Sequence, residues 1–264
     1  MDDSFFELFF SKDKKYIEFV IREIFKEIDK PLVKVESVFT QYNMKTLGGC
    51  NPRLDLLAID EEGNKINIEV QRTVGPDMKF RSRFYCAVID ANSLPKGAEY
   101  KDLPETYVIF ITEKDIRDQG LPVYVTERVF LNDKKPVEDG CTIVYVNGEY
   151  RGDDRIGRLM NDFSAIKAEN MKNSVLAEGM RFFKETEAGR KELSGLDARI
   201  FSEGRNEGRQ EGLEEGIEKG QEKMILSMLN NDLSFSIISK CSGYPVKKIK
   251  ELKTRFIEEG LLPA

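Results

Sequence analysis

The stretch LDLLAIDEEGNKINIEVQR, residues 54–72, contains two short runs of apolar residues separated by a polar turn. Each run also carries an acid where a buried strand would be expected to hold an apolar side chain: Asp55 in LDLL and Glu69 in INIEVQ. The turn, DEEGN, has glycine where a three-residue hairpin loop needs the left-handed conformation. The stretch therefore predicts a β-hairpin with a carboxylate in each strand.

The loop also predicts the pairing of the two strands. With residues 61–63 as the loop, Asp55 lies directly opposite Glu69, with Cβ atoms about 5 Å apart. Because side chains alternate along a strand, Gln71 shares their face. The other face holds the apolar residues Leu54, Leu56, Ala58, Ile66, Ile68 and Val70.

Two adjacent carboxylates repel each other and are costly to desolvate. A shared divalent cation resolves both problems, and Mg²⁺ accepts one or two carboxylates together with phosphate oxygens. The alternative is that both acids lie at an exposed edge of the sheet. Spacing by itself leaves these two interpretations open.

Two residue types limit the chemistry of the chain. Histidine is absent, which excludes Ser-His and Cys-His triads and histidine-ligated zinc. Catalysis would have to use carboxylates, lysines, tyrosines or a hard metal ion. The four cysteines form no CxxC pair, so they are predicted to be small core residues and not disulfides or a zinc site: Cys50, Cys86, Cys141 and Cys241.

The 264 residues have an acidic N-terminus and no apolar run near the roughly 20 residues that span a bilayer, which predicts a cytoplasmic protein without membrane contact. The net charge of −6 argues against nucleic acid as a partner. The charge is uneven, however: −4 for residues 196–222, +3 for 223–264 and −5 for the rest. A metal and a local basic patch would still allow DNA to bind.

The order of the predicted elements indicates an α/β domain with a mixed sheet covered on both faces. A helical pattern ends at Pro31, and LVKVESVFTQYNM follows as a strand. After the hairpin, residues 78–92 are predicted to form a helix whose apolar side is Phe80, Phe84, Val88 and Ile89. TYVIFIT, PVYVTERVFL and CTIVYVNG are predicted strands, and residues 152–193 are predicted to be helical.

This domain is predicted to cover residues 1–195. In residues 196–222, glycine then recurs at every fourth position: Gly204, Gly208, Gly212, Gly216 and Gly220. Each costs a helix about 1 kcal/mol relative to alanine, so a helix here should not be stable alone. Either the glycines let a partner helix approach closely, which would give a homodimer, or the segment is a solvated linker.

Residues 223–264 have the pattern of two or three short helices with a turn at Ser242-Gly243. The arrangement is helix-turn-helix-like, and its last helix carries Lys247, Lys248, Lys250 and Lys253. The alternative is a small helical cap with solvated lysines.

One set of residues resembles the PD-(D/E)XK nuclease superfamily: Asp55, Glu69, Val70, Gln71, Arg81 and Tyr85. More narrowly, it resembles the Rpn branch of recombination-promoting nucleases, often labelled PD-(D/E)XK family transposases. The resemblance covers most of the chain. It includes FFELFF, the hairpin with NIEVQ, RSRFY, TYVIFIT, and the EG repeats followed by the helix-turn-helix-like end.

The resemblance implies a restriction-endonuclease-like mixed sheet flanked by helices, followed by an all-helical tail. It also implies a DNA endonuclease that uses Mg²⁺, or Mn²⁺ in its place, on double-stranded DNA. Asp55, Glu69 and the backbone carbonyl of Val70 would be the metal ligands. The superfamily usually has lysine at the position of Gln71, whereas glutamine is the usual residue in this branch. Because glutamine carries no charge, it would orient water or phosphate by hydrogen bonds.

Arg81 and Tyr85 are four residues apart on one helix face, so both could reach a phosphate beside the metal. They could equally be a structural arginine and a half-buried tyrosine. The superfamily often adds an acid from the first helix, for which Glu18, Glu7 and Glu23 are all candidates. Two functions follow: an endonuclease whose breaks promote recombination, or a non-catalytic DNA-binding or assembly protein that keeps the nuclease fold.

Overall fold

A computed structural model describes residues 3–31, 33–46, 51–73 and 75–262, with side chains throughout except at 3, 4, 197–208, 210, 211, 214 and 215. The chain falls into two compact units, Met1–Leu196 and Asp197–Ala264. Among the described helices, none combines the length and the hydrophobicity needed to cross a bilayer. Cys50 lies outside the described residues.

The helices are α1 (Asp3–Lys12), α2 (Lys14–Glu27), α3 (Met78–Ser93), α4 (Arg155–Ser164), α5 (Ser174–Glu185), α6 (Glu187–Asn230), α7 (Phe235–Ser242) and α8 (Val246–Glu258). The strands are β1 (Val35–Asn43), β2 (Arg53–Asp60), β3 (Lys65–Gln71), β4 (Thr106–Thr112), β5 (Val123–Thr126) and β6 (Cys141–Asn147). Short 3₁₀ turns occur at Tyr100–Asp102 and Ala168–Asn170.

The six strands form one mixed sheet in the order β1-β2-β3-β4-β6-β5. The pairs β1–β2, β2–β3 and β5–β6 are antiparallel, whereas β3–β4 and β4–β6 are parallel. Helices cover both faces, which confirms the predicted α/β fold. The parallel strands β3, β4 and β6 all end at the same edge of the sheet, so the residues that follow them meet there.

Helices α1, α2, α4 and α5 supply the apolar core on one face of the sheet. The predicted periodicity of α2 is confirmed, since Ile17, Ile21 and Ile24 are fully buried. FFELFF forms α1, which the sequence patterns did not identify as an element, and it buries Phe9 completely. A Cβ at Gly179 of α5 would lie 2.6 Å from the Phe9 ring, so this contact requires glycine.

Helix α3 covers the other face and has the predicted bounds within a residue, but its predicted apolar side is partly wrong. Phe80 is 56% exposed and Phe84 is 36% exposed. The buried side contains Met78, Ser82, Tyr85, Cys86, Val88 and Ile89. The Ser82 hydroxyl lies 2.9 Å from the Tyr145 hydroxyl, so burial leaves it paired. A hydrophobicity pattern cannot identify polar side chains that find such partners.

Three further expectations need correction. Only Val123–Thr126 of the predicted strand PVYVTERVFL joins the sheet. Leu54 packs in the α3-side core and not with its predicted neighbours on the other face, at a point where Gln41 in the adjoining strand has a left-handed φ of 51°. Of the described cysteines, Cys86 is buried as predicted, Cys141 only partly so, and Cys241 is exposed.

The second unit has its own small core, formed by Ile225, Leu229, Ile238, Ile249, Leu252, Phe256 and Leu262. The glycine-rich segment continues as helix α6 to Asn230, and α7 ends at Gly243 with a left-handed φ of 75°. The four lysines of α8 are exposed.

Candidate active site

The hairpin has the predicted register, because Leu56 pairs with Ile68 and Ala58 with Ile66. Gly63 takes a left-handed φ of 87° and closes the loop. One residue beyond the Leu56–Ile68 pair, the backbone of each strand donates a hydrogen bond to a carboxylate of the other. The Asp55 backbone N–H donates to Glu69 Oε1 at 3.1 Å, and the Val70 N–H donates to Asp55 Oδ2 at 3.1 Å.

Glu69 is fully buried, whereas Asp55 remains partly exposed. Burial and the negative charge of Asp55 raise the pKa of Glu69 to about 8. Arg81 opposes this shift, with its Nη2 3.3 Å from Glu69 Oε2. The state in which both acids are ionised is therefore unfavourable, because the surrounding groups compensate its negative charge only in part.

Arg81 connects the remaining predicted residues. Its Nη1 donates to Gln71 Oε1 at 2.7 Å, and its Nε and Nη2 donate to the Tyr85 hydroxyl at 3.0 and 2.9 Å. Burial raises the pKa of Tyr85, so its hydroxyl is neutral near pH 7. The structure thus brings Asp55, Glu69, Gln71, Arg81 and Tyr85 into one hydrogen-bonded network at the carboxyl end of β3.

Asn67 is a polar residue of this face that the sequence analysis did not single out. It lies two residues before Glu69 on β3 and is fully buried. Its amide is near enough to Glu69 to favour the ionised carboxylate, yet neither of its polar atoms makes a well-formed hydrogen bond with any described residue. The strand alternation that joins Glu69 to Gln71 could have identified it.

Two of the three candidates for an acid from the first helix, Glu18 and Glu23, lie apart from this network. Glu18 accepts a hydrogen bond from Val35 N at 3.0 Å, and Val35 pairs with Asp60 at the turn end of the hairpin. That point is five residues, about 17 Å, from Asp55. Glu23 instead pairs with Lys26 at 2.7 Å.

Glu7, the third candidate, lies on α1, whose Phe6 lines a cleft of about 580 Å³ that also reaches Gln71. The cleft opens where β3, β4 and β6 end, and the basic side chains Arg72, Lys114 and Arg151 line it. Within the described ranges, no group of three or more cysteine, aspartate or glutamate side chains is placed to hold a metal ion.

Comparison with known proteins agrees with this geometry. Residues 1–149 match the family described as PD-(D/E)XK nuclease family transposase. No curated protein and no solved structure matches the chain. The matched region includes the hairpin, α3 and all six strands, and it supports a nuclease-related function. The resemblance noted in the sequence is confirmed: the chain belongs to the PD-(D/E)XK nuclease family transposases.

Proposed function

We propose that the chain is a metal-dependent endonuclease that hydrolyses phosphodiester bonds of double-stranded DNA and whose breaks promote recombination. The observation that carries the proposal is the single network of Asp55, Glu69, Gln71, Arg81 and Tyr85. The two carboxylates can bind a hard cation and the amide can orient a water. The guanidinium, supported by the phenol, can bind a phosphate.

The donor set fits Mg²⁺, with Mn²⁺ as a substitute. Asp55 and Glu69 are oxygen donors. Burial, together with the charge of Asp55, raises the pKa of Glu69 to about 8, and a cation would offset both effects. Both acids and the backbone carbonyl of Val70 would hold the ion, and water and phosphate oxygens would complete its shell. When bound, Mg²⁺ supplies a lowered pKa for a coordinated water and positive charge beside the phosphate.

The other side chains have separate roles in this proposal. Gln71 orients the attacking water through its amide, since it has no charge to contribute. Arg81 Nη1 lies 2.7 Å from Gln71 Oε1. The guanidinium therefore places a positive charge next to Gln71, where a lysine at position 71 would otherwise supply it. Tyr85 accepts two N–H bonds from Arg81 and orients it toward the phosphate.

The test is conversion of supercoiled plasmid to nicked or linear DNA with Mg²⁺, Ca²⁺ or EDTA. Asp55→Ala and Glu69→Ala should each lower the Mg²⁺-dependent rate by at least about 100-fold, a loss of about 3 kcal/mol of transition-state stabilisation. Glu62→Ala, an exposed acid in the turn of the same hairpin, is the matched control and should cleave like the wild type.

Thermal unfolding separates this proposal from a non-catalytic DNA-binding protein. Mg²⁺ should raise the melting temperature of the wild type and of Glu62→Ala, but not of Asp55→Ala, because a ligand that binds only the folded state stabilises it. A wild type that is inert on plasmid and insensitive to Mg²⁺, yet still binds DNA, would favour the non-catalytic function instead.

We also propose three segments, a nuclease domain at 1–195, a glycine-striped helix at 196–222 and a helical segment at 223–264, with two chains pairing through the second. A Cβ at Gly212, Gly216 or Gly220 would meet no atom within 4 Å, and Leu213 and Ile217 are exposed between them. Two paired chains could cut opposite strands. Light scattering at micromolar concentration tests this, and a monomeric mass would contradict it.

A further inference from the structure

The outward side of α3 exposes aromatic rings among cations. In KFRSRF, residues 79–84, Phe80 and Phe84 lie four residues apart on one face of the helix. Phe80 is 56% exposed, with Lys79 Nζ 5.5 Å and Arg83 Cζ 5.9 Å from its ring centroid. Neither ring belongs to the buried core of this face.

This aromatic face begins next to the proposed catalytic network. Arg81 follows Phe80 directly, and it points inward to Glu69 and Gln71. Adjacent Cα atoms are 3.8 Å apart, and adjacent helix residues point about 100° apart. A nucleotide whose phosphate contacts Arg81 would therefore lie beside the residue that carries the exposed Phe80 ring.

A second exposed aromatic pair lies on the same side of the sheet. The rings of Phe39 and Tyr42 in the edge strand β1 are 5.4 Å apart, and both side chains are about 40% exposed. They pair with Leu57 and Leu54, which are buried in the α3-side core, and paired residues point to the same face. Exposed aromatic rings thus occur on α3 and on the strand beside Asp55.

Exposed aromatic rings interleaved with Lys and Arg are the combination that binds single-stranded nucleic acid, because the rings stack on bases while the cations contact phosphates. A fully paired duplex keeps its bases stacked on one another and offers the rings little. The cations at Lys79 and Arg83 also make this face a poor match for a purely apolar partner.

Building on the proposed nuclease function, we propose that Phe80, with Phe84 beside it, stacks on a base that is unstacked next to the phosphate held by Arg81. The substrate class would then be DNA with unpaired bases, such as the junction between a duplex and a single strand, in preference to continuous duplex.

The experiment measures binding by fluorescence anisotropy in Ca²⁺, with a labelled duplex–single-strand junction and a fully paired duplex that share their duplex sequence. Wild type should bind the junction more tightly. Phe80→Ala should weaken junction binding by about 5- to 100-fold, the effect of losing one stacked base, and change duplex binding less than twofold. Phe80→Trp, which keeps a stacking ring, should retain junction binding.

Tyr100→Ala is the matched control. Tyr100 is 85% exposed and lies before β4, at the end of the sheet opposite to Gln71. The Tyr100→Ala variant should bind both DNAs as tightly as the wild type does. Circular dichroism melting of Phe80→Ala confirms folding, which removal of an exposed ring should leave intact.

Three results would overturn the inference: equal binding of both DNAs by the wild type, equal loss on both DNAs in Phe80→Ala, or an effect of Phe80→Ala on self-association alone. The proposed function is tested separately, by plasmid cleavage and by the Mg²⁺-induced shift in melting temperature. A Phe80-dependent junction preference without cleavage would support the stacking surface and refute the nuclease.

Discussion

The two faces of the central sheet differ in what they bury. The face under α1, α2, α4 and α5 packs mainly apolar side chains, and the buried acid of α4, Asp162, accepts hydrogen bonds from the backbone N–H groups of Lys172 and Asn173. The face under α3 buries Asn67, Glu69 and Ser82 among its apolar residues. Burying polar and charged groups is costly, whereas each large apolar side chain contributes about 1.5–3 kcal/mol. We infer that the first face supplies the stability that lets the second hold Glu69, an acid whose pKa burial raises to about 8.

The largest expected effect tests this division with two fully buried phenylalanines, one on each face. Phe183→Ala and Phe110→Ala should each lower the free energy of unfolding by about 3–5 kcal/mol. Phe110 stacks on Tyr85 with ring centroids 6.2 Å apart, so only its loss should disturb Arg81 and slow cleavage well below the melting temperature. Urea unfolding and plasmid cleavage measure the two effects.

If both variants slow cleavage by the same factor while still folded, the two faces are not separate in function. Cleavage should therefore be compared at a temperature where both variants remain fully native by circular dichroism.

The second effect is the pH dependence that Glu69 confers. Its folded pKa of about 8 lies above the ordinary value of 4.5, so the folded state binds more protons between these values. In EDTA the wild type should therefore lose about 4 kcal/mol of stability as pH rises from about 4.5 to about 8, and change little from this cause above 8. Glu69→Gln, which cannot ionise, should not show this loss.

The measurement is the difference in unfolding free energy between Glu69→Gln and wild type across this pH range. The difference should grow in favour of the variant as pH rises. Glu62→Gln, in the exposed turn, should run parallel to the wild type. Parallel curves for Glu69→Gln as well would mean that the acid is ionised throughout and that α3 tolerates its charge.

The smallest expected effect separates two buried hydroxyls on the α3 face. Tyr85→Phe and Tyr145→Phe should each cost about 1 kcal/mol of stability, because each removes a hydroxyl with a hydrogen-bond partner. Only the Tyr85 hydroxyl contacts Arg81, so only Tyr85→Phe should slow cleavage, by about 3- to 10-fold. Equal rates for both variants would mean that Arg81 does not need this hydroxyl.

Much of the fold was predictable because its signals are local. The DEEGN loop sets the hairpin register through the geometry of one turn, and the register brings Asp55 to Glu69. The apolar run of β4 and the periodicity of α2 likewise depend on neighbours within a few residues. The resemblance, carried by this hairpin together with segments spread over most of the chain, added the family.

The α3 face was less predictable because its residues meet through contacts distant in sequence. The sequence by itself determined the hairpin, the pairing of its two acids and the positions of most strands, since alternation and turn chemistry act locally. Only the tertiary structure decided that Phe80 faces solvent and that Arg81 contacts both Glu69 and Gln71. It also decided that Glu18 accepts a hydrogen bond from the Val35 backbone and does not join the two acids. These outcomes depend on which surfaces pack together, and packing is a property of the whole domain.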